Sequence, residues 1–524
     1  MRLHETVQRF VHLGLAAALA ACGGGERTPT TAQATADATA GPPAAPAGST
    51  TIDPTQLFGW IEATYPGLFP AGPPNQQITA GGVTYTLRYY PPPADNYAGV
   101  GNDGIVYGLG SFTGGQIKSF GTLASYTCVV DPELCVPALA SVIAERYGVT
   151  GFPLGAAIGP ASTTASPDVG LLRKHFSSIT AENVMKPHVL WPNATGSSTT
   201  PAAAPSFAQA DTLAQFAAAN GMRLRGHTLL WHQSAPSWFF AGDIGDAATY
   251  RSTVRQRLRD YIMAVVQHFP DVYAWDVVNE VATDAPDAAN PYRTDSPWYQ
   301  AYSVGGGDGS EYVRDAFLFA TQARAALGKS AADMKLMLND YSTEYAGKRA
   351  NVIRIVRDVL GAGTGADLNG VGHQFHLSVT SNAADVNAAF AAVEAVSGTL
   401  VNHVTELDVS IYADPGSCFS ARAIPPCLAD YGASAPASVL SQQATLYRAL
   451  FEAFERPSVT SVTLWGVADN RTWLNTFPVK RTNRPLLFDT TGVPKPAFWA
   501  VADPAYVIAP GGQTMSSARR PWRR

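Results

Sequence analysis

Trp275-Asp276-Val277-Val278-Asn279-Glu280 is the stretch on which the reading of the fold turns. Tyr273, Trp275, Val277 and Val278 carry an apolar run that stops at an amide beside a carboxylate. Such a run describes a strand buried in a parallel sheet, and the polar pair at its end marks where that strand opens into a site. A second segment, residues 401–408 (VNHVTELD), has the same form and carries its own acid, Glu406. Either glutamate alone is accounted for as a strand-end residue capping the next helix. Two of them on two such strands point to paired acid chemistry, and cleavage of a glycosidic bond is the reaction that most plainly needs a pair.

Working outward, short apolar runs alternate with helical text over residues 135–507. The runs are 154–158, 178–183, 223–229, 274–278, 335–339, 370–375, 401–407 and 461–465, with helical patterns such as 211–220 and 442–454 between them. Parallel strands in this number with intervening helices predict an α/β fold, the (β/α)8 TIM barrel. Nearly every strand ends in polar or aromatic residues, on the face where such barrels carry their sites. Fold alone leaves the function open.

The chain has 524 residues, more than one core usually serves, so further domains are expected. Its 46% hydrophobic and 15% charged content describes a soluble globular protein, and a net charge of -5 argues against a nucleic-acid partner, which needs a basic face. Residues 1–22 read as an export signal, with Arg2 and Arg9 ahead of an apolar stretch too short to span a bilayer. Leu19-Ala20-Ala21-Cys22 resembles a bacterial lipobox, and Gly23-Gly24-Gly25 with a flexible tract follows. Cys22 is therefore expected to be a lipid anchor and the only membrane contact. Gly23 after it points to an outer-membrane or cell-surface lipoprotein; ordinary secretion is the alternative. With Cys22 set aside, Cys128, Cys135, Cys418 and Cys427 suffice for two disulfides, and local pairing is the economical choice. Neither pair has the CxxC spacing of a zinc site or an adjacent His.

Residues 23–51, rich in Thr, Ala, Pro and Gly, form a linker. Residues 52–130 read as a small, mostly β module. A helix is expected at 57–63, strands at 83–90, 104–109 and 115–121, and aromatics throughout, among them Phe58, Trp60, Tyr65, Phe69, Tyr85, Tyr90 and Phe112. These rings make either a core or a sugar-stacking surface, and core is the expectation. Residues 508–524 are a basic, frayed tail.

The strand ends supply Glu182, Asn183 and Lys186 (TAENVMKP), His227, Trp231 and His232 (RGHTLLWHQ), Asn279 and Glu280, and Asn339 and Asp340 (LNDYSTE). They continue with Gln374 and His376 (GVGHQFH), Glu406 and Asp408 (TELDVS), and Trp465 and Trp473 (LWGVADNRTW). Together with PLLFD at 485–489 and PKPAF at 494–498, these segments resemble glycoside hydrolase family ten, the retaining endo-β-1,4-xylanases. The resemblance covers residues 135–507 and implies a monomer acting on xylan and xylo-oligosaccharides without metal or cofactor.

The chemistry also follows from the residues. A retaining glycosidase needs one carboxylate ionised at rest and one protonated. Asp408 and His376 could form a hydrogen-bond chain to Glu406 and favour its charged form, which makes Glu406 the nucleophile and Glu280 the acid and base. Asn279 is expected on the sugar 2-hydroxyl. The resemblance implies that Lys186 and His227 hold the sugar at the cleaved position, that Glu182 and Asn183 serve the next sugar, and that Gln374 positions sugar or nucleophile. Trp231, Trp465 and Trp473 would wall the cleft. Asp340 is expected to be structural, and His373 with His376, a superficial metal pair, lacks a third ligand. Two positions depart from the family: Pro187 follows Lys186 where many members carry an aromatic residue, and Leu474 follows Trp473 where many carry Arg. The loop between Cys418 and Cys427 is placed to narrow one end of the cleft. A related β-1,4-glycanase or aryl-cellobiosidase, or a non-hydrolytic glycan-binding surface lipoprotein, are the other readings.

Overall fold

The computed structural model describes residues 52–64, 75–90, 96–110, 113, 116–121, 126 and 136–509, with 287 and 433 excepted. The export signal with Cys22, the linker, Cys128 with Cys135, and residues 510–524 lie outside the described residues, as do Tyr65, Phe69 and Phe112. The chain forms two compact units that part between Val136 and Pro137.

The first unit is an antiparallel sheet in the order β1 (Gln76–Ala80), β2 (Val83–Tyr90), β3 (Asn96–Gly101), β4 (Val106–Gly110), β5 (Lys118–Gly121), with the helix Pro54–Thr64 against it. The sequence reading misses β1 and β3. β1 (QQITA) is a polar, largely exposed edge, and β3 (NYAGVG) carries glycines that read as a turn although it lies in mid-sheet. A Cβ at Gly99 would stand 2.2 Å from the Thr86 carbonyl oxygen of β2, so a bare backbone is required there. Most of the described aromatics are core. Phe58 and Tyr90 are buried on the helix side, with Trp60 and Phe120 packed against them, and Tyr85 and Tyr107 sit in a second cluster.

The second unit is a barrel of parallel strands: β6 (Leu154–Ile158), β7 (Ser178–Ala181), β8 (Arg223–Trp231), β9 (Val272–Asn279), β10 (Lys335–Asp340), β11 (Gly370–His373), β13 (Val401–Ser410) and β14 (Val459–Leu464). β14 pairs with β6 and β11 with β13, which closes the barrel. Each predicted run forms a strand, but run 370–375 is broken at Phe375, whose φ of 50° ends β11. The chain resumes as β12 (His376–Ser378) beside the outer half of β13, bringing His376 level with Asp408. Helices return the chain between strands. The helix Ala247–His268 starts at Asp246, which accepts the Thr249 N–H, and buries Tyr250, Val254, Leu258, Tyr261 and Val265 at helical spacing.

The interior of the barrel is polar where strands β8, β9 and β13 face one another. The Arg225 guanidinium pairs with Asp276, both about 1% exposed, and also lies 3.3 Å from His403 Nδ1. Removing Arg225 leaves the buried Asp276 carboxylate with only the His227 ring beside it. Arg225→Met is therefore expected to lower stability by about 3–5 kcal/mol in urea unfolding, and Arg225→Met with Asp276→Leu to recover most of it. Equal losses in the single and double variants would show that the pair is not the cause.

Candidate active site

At the carboxyl ends of the strands, Glu280 follows β9 directly and adopts a φ of 56°. This left-handed conformation costs a non-glycine residue about 1–3 kcal/mol and persists only where its surroundings over-determine it. Here they do: its N–H donates to the Asn339 carbonyl at 2.9 Å, and its own carbonyl accepts from Arg293 Nε at 3.1 Å. Arg293 is held in turn by Asp284 and Tyr341. Asp340, fully buried, accepts from Ala282 N–H at 3.0 Å and pairs with Lys348 at 3.0 Å, in keeping with a structural role.

The Glu280 carboxyl group accepts from Trp231 Nε1 at 2.8 Å and from Gln374 Nε2 at 3.2 Å. Burial pushes its pKa up, and the negative charge of Asp340 adds to the effect.

Glu406, on β13, is 5% exposed and takes two donors: Asn339 Nδ2 at 2.8 Å and His376 Nε2 at 3.2 Å. Burial alone would raise its pKa, but the His376 hydrogen bond, the nearby His227 and His376 rings and the Asn339 amide outweigh it and lower the value. Burial likewise disfavours a charged His376. The adjoining Asp408 carboxylate, 3.0 Å from Nδ1, reverses this with help from Glu406 and carries the ring to about 10. The imidazolium therefore donates to both acids.

Asn339 was legible in the sequence only as a strand-end residue without a role, yet it is the hub of the site. Its Nδ2 reaches both Glu406 and Asn279 Oδ1, each at 2.8 Å, while its Oδ1 accepts from Thr405 at 2.7 Å. A Cβ at Gly372 would stand 2.4 Å from that Oδ1, so the neighbouring strand must be bare there. The available signal was Asn339-Asp340 repeating the amide-acid form of Asn279-Glu280. Arg293, off the strands in a loop, gave no such signal.

The remaining expected residues gather around this centre. His227 Nδ1 lies 3.0 Å from Asp276 and its ring meets Trp465 edge to face at 5.4 Å. Lys186 Nζ donates to Asn183 at 2.8 Å and sits 4.9 Å from the Trp231 ring. Burial lowers the Lys186 pKa and raises that of Glu182. Glu182, Trp465 and Trp473 line a cavity of about 190 Å³. Trp473 donates to Asp408 at 2.9 Å.

Other expectations resolve separately. Pro187 opens a single helical turn behind Lys186, and Leu474 is buried. His232 stands outside the carboxylate network; burial takes its pKa down to about 4. His373 is tied through Nδ1 to Thr343 and through Nε2 to Asn402. Cys418 and Cys427 form the expected disulfide. These two sulfurs and Asp414 are the one metal-like cluster among the described residues, and the bond between the sulfurs removes them as ligands.

The "Thermostable celloxylanase" of Thermoclostridium stercorarium is 38% identical over 384 residues, covering 71% of this chain and 88% of that protein. The "Endo-1,4-beta-xylanase A" of Thermotoga maritima is 35% identical over 73% of this chain, which spans only 32% of that longer protein. Among solved structures, xylanase B from Clostridium stercorarium F9 superposes with a TM-score of 0.59 at 38% identity, over 70% of this chain and 100% of that one. Residues 143–504, most of the barrel unit, match the model of glycosyl hydrolase family 10, and the chain belongs to that family.

Proposed function

We propose that this chain is a retaining endo-β-1,4-xylanase with Glu406 as nucleophile and Glu280 as acid and base. The observation that carries the reading is two buried carboxyl groups in one hydrogen-bonded site, both bonded into it by side-chain donors and shifted in opposite directions, Glu406 toward its charged form by His376 and Asn339 and Glu280 toward its neutral form by burial. In the first step a Glu406 oxygen attacks C1 of the sugar. The glycosidic C1–O bond breaks, and Glu280 gives its proton to the departing oxygen. The ester that forms is neutral, so the share of the charge opposing ionisation of Glu280 that Glu406 supplies falls away. Glu280 then takes a proton from water as the water oxygen attacks C1, and the ester C1–O bond breaks to regenerate Glu406.

Asn279 Oδ1 is occupied by two donors, which leaves its Nδ2 to bond the sugar 2-hydroxyl. Lys186 and His227 would hold the same sugar, Glu182 and Asn183 the next, and Trp231, Trp465 and Trp473 the ring faces. The relatives named as xylanases support xylan as substrate, and the celloxylanase name makes cellulose the comparison. Proton NMR during xylohexaose cleavage tests the reading: the β-anomer of the product is expected first, with reducing ends released from xylan well ahead of cellulose. An initial α-anomer, or no hydrolysis of xylan, would exclude it.

A further inference from the structure

Asp408 Oδ2 accepts from both Trp473 Nε1 at 2.9 Å and His376 Nδ1 at 3.0 Å. Asp408 is wholly buried and its other oxygen has no hydrogen-bond partner, so these two N–H groups carry the solvation of its charge. The Trp473 indole is fixed in turn by Phe477, which stacks on it with centroids 4.9 Å apart and planes 19° from parallel. Phe477 is itself wedged. The Phe419 ring lies 6.1 Å from it and the Arg422 guanidinium 5.2 Å.

Phe419 and Arg422 belong to the loop after β13 that the Cys418–Cys427 disulfide closes. That loop is pinned at both ends: Asp414 pairs with buried Arg481 and accepts the Leu428 N–H at 2.9 Å, while Arg481 donates to the Leu428 carbonyl at 2.7 Å. Arg422 sits in the left-handed region at φ 48°, its N–H on the Cys418 carbonyl. A ring left 49% exposed, as Phe419 is, adds little to a core.

We propose that Phe477 is a positioning residue for the hydrolytic centre, pressed onto Trp473 by the disulfide-closed loop so that the indole N–H stays on Asp408. The proposal rests on the reading of Glu406 as nucleophile, because the order runs from Phe477 through Trp473, Asp408 and His376 to Glu406. Ordinary packing would need only the volume of Phe477, whereas positioning needs its flat face.

The two roles separate in variants of the full, oxidised chain. Loss of the indole donor leaves Asp408 with His376 as its one remaining side-chain donor, and the imidazole is drawn toward Asp408 and away from Glu406. The His376 hydrogen bond that lowers the Glu406 pKa weakens with that movement, and Glu406 then protonates at higher pH. Glu406 also faces His227, Lys186, Glu182 and Glu280, and Asp408 faces Tyr447, none of which belongs to the wedge. The wedge's own charged group is Arg422, on the Phe477 ring.

In Phe477→Ala the acid limb of the kcat/KM profile on xylohexaose is expected to move up by roughly half to one pH unit, with kcat/KM down about tenfold. Phe477→Tyr should keep the wild-type limb, Phe477→Leu should follow Ala, and Cys418→Ser with Cys427→Ser should move the limb the same way by less. The Trp473 indole N–H resonance, assigned with Trp473→Phe, gives a readout independent of activity: slow exchange in wild type and Phe477→Tyr, fast in Phe477→Ala. An unmoved limb in Phe477→Ala, equal rescue by Leu and Tyr, or unchanged indole exchange would overturn the proposal. A wild type that leaves xylohexaose intact defeats the xylanase reading, and indole exchange still decides this one.

Discussion

Alanine at Glu406 is expected to remove xylan hydrolysis almost completely, by about 10⁵-fold or more, because no other group can form the bond to C1. His376 and Asn339 would remain, pointing donors into the space the carboxylate leaves. An azide ion fits that description of an anion site. With an activated aryl xylobioside, azide is expected to restore turnover by direct attack on C1 from the face Glu406 occupied. Glu280 still protonates the leaving oxygen, and the product is the inverted glycosyl azide. A retained product from this variant would mean that another residue is the nucleophile.

Alanine at Glu280 fails differently. A xylosyl leaving group needs a proton and an activated aryl group does not, so hydrolysis of xylan should fall by roughly 10²–10⁴-fold while glycosyl-enzyme still forms rapidly from the aryl substrate. That intermediate then waits for a base, and azide, which needs none, should release it with retained configuration. The pH profile adds a second check. With Glu280 as the acid, wild-type activity on xylan is expected to need its protonated form and to fall as pH rises through its raised pKa. That alkaline limb should vanish for the aryl substrate in Glu280→Ala. Identical azide products from the two variants would reverse or dissolve the assignment.

The barrel was legible because a strand buried on both faces leaves an apolar run with no alternation to misread, and because the site lies where those runs stop. Asn279, Glu280 and Gln374 lie where such runs stop, so the feature that reveals the fold also reveals them; Glu406 lies inside β13, which continues to Ser410, and showed itself as an acid within an apolar run. Run 370–375 shows the limit. Its break at Phe375 is a backbone conformation at a residue that gives no turn signal, yet it sets His376 level with Asp408. Arg293 was illegible for the opposite reason: it reaches Glu280 from a loop, and neither period nor motif reports which backbone carbonyl a long side chain will find. In the first unit, glycines needed for close strand approach look the same in sequence as glycines in turns, and β3 was lost to that ambiguity.

From Glu406 the contacts run to Asn339, from Asn339 to Asn279, from Asn279 to Gln374, and from Gln374 to Glu280. The three intermediates are all carboxamides, groups without a pKa in water's range. In the proposed mechanism both glutamates change charge during each turnover, one by becoming an ester and the other by shedding a proton, and a ruler made of titrating groups would stretch or contract with them. This one is neutral at every stage. The gap between the two glutamates is thus gauged by bond lengths that ignore acidity, and under the proposed mechanism stereochemical fidelity becomes separable from rate: acid or alkali is expected to stop the enzyme without making it invert.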